Sequence, residues 1–395
     1  MSSRPAVITS PQRVDGRHVA VAAAAGLAAA MGIGRFVFTP LLPVMIASTG
    51  IGAREGALIA TGNYAGYLLG AIALSVQPRL NTRRAFRGWS ITLVASEVLM
   101  AVSSDVIVQG ALRFVAGVAS AAIFVACVST VAHRRADGAS PGVAFAGVGV
   151  GIALTGVFTV VGTQLSWQAL WVGSGVLTAL LLVPAWSLDV RAEVSDRASP
   201  AADVRPTTRP LRWAWRLLLV AYFLEGLGYI IVGTFLVDAV GRQGDSVSGA
   251  SVWIMVGVAA APATVLWNAI GTRIRMYRAL VIALVVQAVS MAVPALSDGV
   301  VGAVVSAALF GGTFMGITTV AMAVGNSLPA TRTAATLTAV YGVGQVLGPV
   351  LVAPVIGDSY GTAFAIACAA VTVAALAAVA VAILTSTDRH HALKG

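Results

Sequence analysis

Four ionisable side chains lie within long apolar stretches of the sequence: Arg35, Glu97, Arg113 and Glu225. A charged group near the centre of a bilayer costs about 2.5 to 3.5 kcal/mol on insertion scales, so it normally faces an opposite charge or a polar cavity. A guanidinium group can bind an anion, and a carboxyl group can accept and release a proton. The sequence therefore predicts a polar site of both signs inside a membrane.

Arg35 and Glu225 lie in related glycine-rich segments, MGIGRFVFTP at 31–40 and EGLGY at 225–229. The matched glycines, at an offset of 194 residues, are Gly32 with Gly226 and Gly34 with Gly228. In this alignment Glu225 lies opposite Met31, one helical turn or about 6 Å from Arg35 in depth. We expect Arg35 to bind an anionic group of a substrate while Glu225 carries a proton, the two competing across a shared cavity. The alternative is a permanent ion pair.

Glu97 and Arg113 lie on either side of the turn at Ser104 and Asp105. Each is roughly 10 to 12 Å below the end of this helical hairpin, at about 1.5 Å per residue. Equal depth favours an ion pair between them, which could serve proton movement or only stabilise the hairpin.

Polar side chains in the same helices are candidates to line the cavity. They could equally be inter-helix hydrogen-bond donors, and Gln287 is a further candidate of the same kind. The main set is Asn63, Tyr67, Tyr229, Tyr341 and Gln345.

The elements that must position these groups follow from composition. Of the 395 residues 58% are apolar and only 10% charged, which is typical of a polytopic membrane protein. Apolar runs of roughly 20 residues, the length that crosses a bilayer as a helix, recur along the chain. The twelve predicted helices span about 19–47, 56–76, 86–103, 106–132, 141–162, 167–187, 213–240, 248–269, 277–295, 299–325, 332–357 and 361–385.

The net charge of +10 follows this topology. With the N-terminus inside, most Lys and Arg lie in inner segments; the exceptions are Arg54 and Arg242 in outer loops and Arg35 and Arg113 within helices. By the positive-inside rule we expect an inner-membrane protein with both termini in the cytoplasm. The basic loops then bind membrane lipids, and nucleic-acid binding has no support.

Enzyme and cofactor motifs are not supported. The only lysine is Lys394, so the chain has no Walker A lysine for nucleotide hydrolysis. GASPG at 138–142 matches a nucleophile motif by chance, because it lies in a short loop before a helix. We expect no cofactor, metal or disulfide, since the histidines flank the helices and the cysteines are isolated; these residues are His18, His133, His390, His391, Cys127 and Cys368.

Glycines and the repeat define the organisation. We predict an all-α membrane protein of two pseudo-symmetric six-helix bundles, 1–187 and 213–395, joined by a polar cytoplasmic linker at 188–212. A second repeat match, GVG at 147–149 and 342–344, has an offset of 195 residues. Three glycines of helix 2, spaced four residues apart, predict a close contact with another helix; they are Gly62, Gly66 and Gly70.

This arrangement resembles the major facilitator superfamily over the whole chain. Arg113 to Gly117 looks like the Arg-and-Gly motif of helix 4, which in relatives is associated with proton coupling, whereas the basic loop after helix 2 lacks the usual Asp. More narrowly, the chain is similar to the bacterial YbfB/YjiJ-type branch. That likeness rests on residues of predicted helices 1, 2 and 7, namely 32–36 and 39–43, 63–67, and 226–230 and 234–235.

The resemblance implies a secondary active transporter that moves a small organic solute by alternating access. Embedded carboxyl groups favour protons as the coupling ion, and we expect a monomer. One alternative is a multidrug exporter of hydrophobic cations, in which Glu225 binds the cation and Arg35 is structural. Another is a non-transporting membrane sensor, which the short linker and C-terminal tail disfavour.

Overall fold

The computed structural model describes residues 15–191, 208–242, 249–296, 299–330, 332–356 and 360–392. In these ranges the ordered elements are helical, and twelve of the helices are long and apolar enough to cross a membrane. They are α1 Gly16–Thr49, α2 Ala53–Val76, α3 Arg83–Val102, α4 Val106–His133, α5 Pro141–Val161, α6 Trp167–Ala185, α7 Arg209–Gly241, α8 Gly249–Ile274, α9 Met276–Leu296, α10 Val300–Asn326, α11 Thr333–Val352 and α12 Gly361–Ala392.

Helix ends follow local chemistry. The Ser140 hydroxyl accepts a hydrogen bond from the Val143 amide, and Pro141 occupies the first helical position of α5, as predicted. α11 ends at Val352 rather than near 357, because Pro354 follows and has no N–H to continue the ladder. α7 begins at Arg209 and so includes the end of the predicted linker, of which 192–207 lie outside the described residues.

Neighbouring helices pack mainly within each half of the chain, α2 on α4 in the first half and α7 on α12 in the second. Contacts between the halves come from α5 on α8, from α2 on α11, and from the second part of α1 on α7. Thr39 Oγ1 donates a hydrogen bond of 2.7 Å to the Gly233 carbonyl, and these residues are 194 apart. Equivalent positions of the repeat therefore touch where α1 and α7 meet. The domain limits at 187 and 213 stay predictions.

The glycine stripe of α2 packs directly on α4. A Cβ atom at Gly66 would lie 2.0 Å from the Phe114 carbonyl oxygen, and one at Gly62 would lie 2.4 Å from that of Gly110. Only glycine permits backbones to approach so closely. The close contact predicted from the four-residue spacing is confirmed.

The repeat register in α5 and α11 differs slightly from the predicted one. Gly151 contacts α1 at Gly32, and Gly344 contacts α7 at Gly226, so Gly151 and Gly344 have equivalent neighbours. Gly344 follows Gly151 by 193 residues. The GVG match at an offset of 195 pairs glycines that have different neighbours. A match between short glycine motifs cannot show which helix each glycine contacts.

Candidate functional site

The first membrane helix is irregular where Arg35 lies. Residues Ala28–Ile33 form a π-helical segment, residues 34–37 form a turn, and the α-helix resumes at Phe38. The Gly34 amide bonds to the Ala29 carbonyl, five residues back, at 2.8 Å. π-Helical segments are rare and are frequent at functional sites.

Proline explains why the α-helical ladder does not run through this turn. Pro40 has no N–H to offer the Phe36 carbonyl, and that oxygen instead accepts from the Thr39 amide at 3.2 Å. The Arg35 carbonyl consequently loses the donor that a regular helix would supply. Buried backbone carbonyls need partners, so this break depends on side chains from other helices.

Arg113 of α4 supplies the missing donors. Its Nη1 donates to the Gly34 carbonyl at 2.9 Å and its Nη2 to the Arg35 carbonyl at 2.7 Å. Asn63 of α2 donates to the Arg113 carbonyl at 3.1 Å. Hydrogen bonds from a charged group contribute about 1.5 to 3 kcal/mol each. Arg113 and Asn63 thus hold the break in α1, and Asn63 is fully buried.

The predicted ion pair between Glu97 and Arg113 is wrong. Within the described residues no ion pair joins them, because the guanidinium of Arg113 is directed at the backbone of α1. Glu97 is fully buried, and both its carboxyl oxygens lack a hydrogen-bond partner there. Its nearby polar groups are Thr178 of α6 and Arg113.

Arg35 points from the break towards the second half of the chain. It is 3% exposed, and its Nη2 donates a short hydrogen bond to Gln345 Oε1 on α11. The guanidinium carbon lies 4.2 Å from the ring centre of Tyr67 and 5.6 Å from that of Tyr64. Its Nε has no partner within the described chain. An amide oxygen and aromatic faces, rather than a carboxylate, are therefore what stabilises this cation.

Glu225 lies inside the second bundle. It is fully buried, and Gln287 of α9 donates a hydrogen bond of 2.8 Å to its Oε1. Arg35 does not contact it in the described structure, so the predicted meeting of the two side chains is wrong. The reason is direction: Arg35 turns to α2 and α11, whereas Glu225 turns to α9.

Three tyrosines of α7 and α11 stack on one another near these two groups. The ring of Tyr341 is 4.5 Å from that of Tyr222 and 5.4 Å from that of Tyr229, both nearly parallel. Tyr229 interacts electrostatically with both Arg35 and Glu225. Because Tyr341 lies beside Glu225 and one turn before Gln345, α11 contacts both charged residues.

A cavity of about 340 Å³ lies between the halves, walled by α2, α4 and α11. It lies on the side of the membrane where both ends of the described chain are, which we call the termini side. Tyr67 lines the cavity with one part of its surface and covers Arg35 with its ring. On the opposite side the halves are joined by Tyr64, whose hydroxyl is 2.9 Å from Thr234 Oγ1. The cavity therefore lies on the termini side and stops at Tyr67.

The comparisons with known proteins identify the family and the fold. Residues 27–384 match the sequence model of the family described as "Uncharacterised MFS-type transporter YbfB". The chain belongs to this family. The resemblance and fold class expected from the sequence are confirmed, and the protein is a member of the major facilitator superfamily (MFS). The comparison with curated proteins gives no match.

Solved structures of the same fold include the nucleoside transporter NupG. The D323A mutant of NupG has a TM-score of 0.72 at 13% identity, with 92% of this chain and 99% of that chain covered. A second NupG structure has a TM-score of 0.71 at 14% identity, with 93% and 98% covered. At this identity the likeness concerns the fold.

One buried charge of this MFS transporter was missed by the sequence reasoning. Asp238, 4% exposed near the end of α7, accepts hydrogen bonds from Arg242 at 2.9 Å and from the Tyr360 hydroxyl before α12. Burial and the adjacent Asp238 raise the pKa of Tyr360, so this phenol stays a donor. The i,i+4 spacing of Asp238 and Arg242 is the signal that could have revealed the pair.

Proposed function

We propose that this protein moves a small organic solute across a cytoplasmic membrane by alternating access, coupled to protons. It works as a monomer with both termini in the cytoplasm, so that the termini side is the cytoplasmic side. The observation that carries the proposal is a cavity between the halves that ends at Tyr67, whose ring covers a buried arginine without a carboxylate partner. Membership of a transporter family supports the transport class.

In this mechanism Arg35 binds a polar group of the solute. A solute that arrives through the cavity displaces Tyr67 from the guanidinium and replaces Gln345 as the acceptor. The bond between Tyr64 and Thr234 breaks when the opposite side opens. Near Gly149, where a Cβ atom would lie 2.6 Å from the Gly257 carbonyl oxygen, α5 and α8 offer a smooth surface for this rocking.

Glu225 is the proton carrier in this proposal. Its Oε2 has no hydrogen-bond partner among the described residues, so uptake of a proton there removes an unpaired buried charge. Tyr341 lies beside this carboxyl group and shares α11 with Gln345, which links protonation to the arginine site. Glu97, also without a hydrogen-bond partner there, is a second candidate on the proton pathway.

The cation-exporter alternative receives no comparable support. It needs Glu225 in contact with the solute, yet Glu225 is fully buried and bonded to Gln287 inside the second bundle, whereas Arg35 lies directly under Tyr67 of the cavity wall. Cation binding beside the guanidinium of Arg35 would also be opposed by its charge. No specific contact favours a sensor.

Proton coupling can be tested without knowing the solute. Proteoliposomes are loaded with a pH-sensitive dye and exposed to a panel of small acids and amines, and the expected result is a solute-dependent change of lumenal pH beyond that of protein-free liposomes, which these solutes also cross in their neutral forms. Glu225→Gln should abolish this excess while solute exchange across the membrane continues. Glu55→Gln, which removes an acid at the start of α2, is the matched control. Unaltered proton coupling in Glu225→Gln refutes the assignment.

A further inference from the structure

The charge of the site indicates the sign of its ligand. Arg35 forms no ion pair within the described residues, and the second guanidinium nearby, that of Arg113, adds to the positive potential. Both Nη atoms of Arg113 are bound to the backbone of α1, so a ligand finds a single reachable guanidinium. A site with one available cation and no adjacent carboxylate suits one negative group.

The geometry of Arg35 specifies that group further. Its Nε has no partner, and its Nη2 is held only by the neutral amide of Gln345. These two nitrogens form one edge of the guanidinium, which matches the two oxygens of a carboxylate in a bidentate pair. A carboxylate that takes this edge gains two charge-assisted bonds and releases Gln345.

The cavity wall describes the rest of the ligand. It carries no Asp, Glu, Lys or Arg within the described residues, and much of it is apolar, including Ile72, Leu74, Phe124 and Val125. A dicarboxylate would lack a second cation there. Two of the polar wall groups, Asn81 and Ser129, bond to each other at 3.1 Å, which leaves few partners for a sugar. The volume of about 340 Å³ is near the lower end for small-molecule sites.

Aromatic rings form the end of the cavity nearest Arg35. Tyr67 packs edge-on against Phe124 at 6.2 Å, and Phe124 contacts Phe145 at 6.1 Å. An apolar or aromatic body could pack on these rings once Tyr67 leaves the guanidinium.

We propose that the solute is a small monocarboxylic acid with an apolar, preferably aromatic body, which enters from the termini side and displaces Tyr67 to reach Arg35. This rests on the proposed transport function and names its substrate class.

The test compares four probes of similar size on the purified full-length protein: phenylacetate, its neutral amide phenylacetamide, the cation phenethylamine and the dianion succinate. Binding is measured by calorimetry and by ligand-dependent thermal shift. We expect phenylacetate to bind at least tenfold more tightly than each of the other three. Equal binding of acid and amide, or tighter binding of the amine or of succinate, would overturn the proposal, as would no binding of phenylacetate.

Two variants locate the binding. Arg35→Gln should remove the preference for the acid over the amide, and Ala335→Phe, which fills the cavity without touching the charge, should weaken phenylacetate at least tenfold. Arg54→Gln at the start of α2 is the matched control and should bind as the parent protein does. If Arg35→Gln does not fold, Arg35→Lys and Ala335→Phe still test the proposal. Arg35→Lys should keep the preference for the acid over the amide. Unchanged phenylacetate binding by Ala335→Phe would contradict the proposed route through the cavity.

The two proposals fail separately. If an amine or a neutral solute drives the lumenal pH change and phenylacetate does not bind, the substrate class is wrong and proton-coupled transport stands. If phenylacetate binds as expected but no solute changes the lumenal pH, the carboxylate site stands and proton coupling is wrong.

Discussion

α1 and α7 occupy equivalent places in the two halves and touch at Thr39 and Gly233, yet they differ in backbone. α1 is interrupted before Phe38, whereas α7 is one continuous helix of 33 residues. At the repeat offset Pro40 is equivalent to Thr234, which has a backbone N–H and donates its hydroxyl to the Ile230 carbonyl at 2.6 Å. One proline therefore accounts for much of the difference, because it removes a ladder donor.

The charged groups follow the same asymmetry. Arg35, equivalent to Tyr229, leaves the break in α1 and reaches α11 of the other half. Glu225 on the unbroken helix stays within its own bundle, bound to Gln287. A duplicated scaffold has thus placed its cation between the halves and an acid inside one of them, and the stacked rings of Tyr229 on α7 and Tyr341 on α11 connect the two.

The largest loss of stability is expected on replacing Arg113, whose hydrogen bonds are needed only by the interrupted helix α1. Arg113→Leu leaves the carbonyls of Gly34 and Arg35 without donors, and the free energy of unfolding should fall by about 3 to 5 kcal/mol. Thermal unfolding in detergent and solute-driven pH change measure the two consequences. Arg113→Lys, which restores a charge but not the two-pronged geometry, should recover stability only in part. Wild-type unfolding and transport in Arg113→Leu would mean that the break does not depend on this side chain.

Exchanging the residues at the equivalent positions tests the backbone difference itself. Thr234→Pro should destabilise the protein by about 3 kcal/mol, because an interior proline removes a helix hydrogen bond and clashes with the preceding turn. Pro40→Thr should leave the protein folded but reduce transport at least tenfold, since a restored N–H favours a regular helix that redirects Arg35. Circular dichroism with thermal unfolding, and transport assays, measure both. Full transport by Pro40→Thr would show that the break is not needed.

Gln345 offers a smaller and more local test. Gln345→Glu should pair with Arg35 and weaken phenylacetate binding at least tenfold, or about 1.4 kcal/mol, whereas Gln345→Ala removes a competitor and should tighten it several-fold. Calorimetry on the same preparations compares the two. Identical affinities in both variants would show that the ligand does not use this edge of Arg35.

The contrast between the two helices also shows what a sequence alone can predict. Helix positions were predictable because apolar runs of bilayer length leave little choice, and the α2 contact because Gly62, Gly66 and Gly70 present a bare face. The interruption of α1 before Phe38 was not predictable, although the sequence shows Gly34 and Pro40 on either side of it. Its carbonyls are satisfied by Arg113, which is far away in sequence, and charge alone suggested Glu97 as the partner of that arginine.

The other site residues divide in the same way. Gln287 was a candidate for an inter-helix bond, but its bond to Glu225 depends on which face of α7 turns to α9. The position of a residue along its helix follows from its number, whereas the neighbouring helix that its side chain faces does not. The expected contact of Arg35 with Glu225 was wrong because the two side chains face different helices.

The smallest effect is expected at the far end of α7, where Asp238 bonds to Arg242 and Tyr360. Asp238→Asn keeps a hydrogen-bond acceptor for the phenol and removes an ion pair whose arginine is 34% exposed, so stability should fall by about 1 kcal/mol or less. Phenylacetate affinity and transport should not change, because these groups anchor α7 to α12 within one half. A variant with normal thermal unfolding but no transport would instead place Asp238 on the solute or proton route. The unbroken helix would then carry a second functional charge, and the division of roles between α1 and α7 would have to be redrawn.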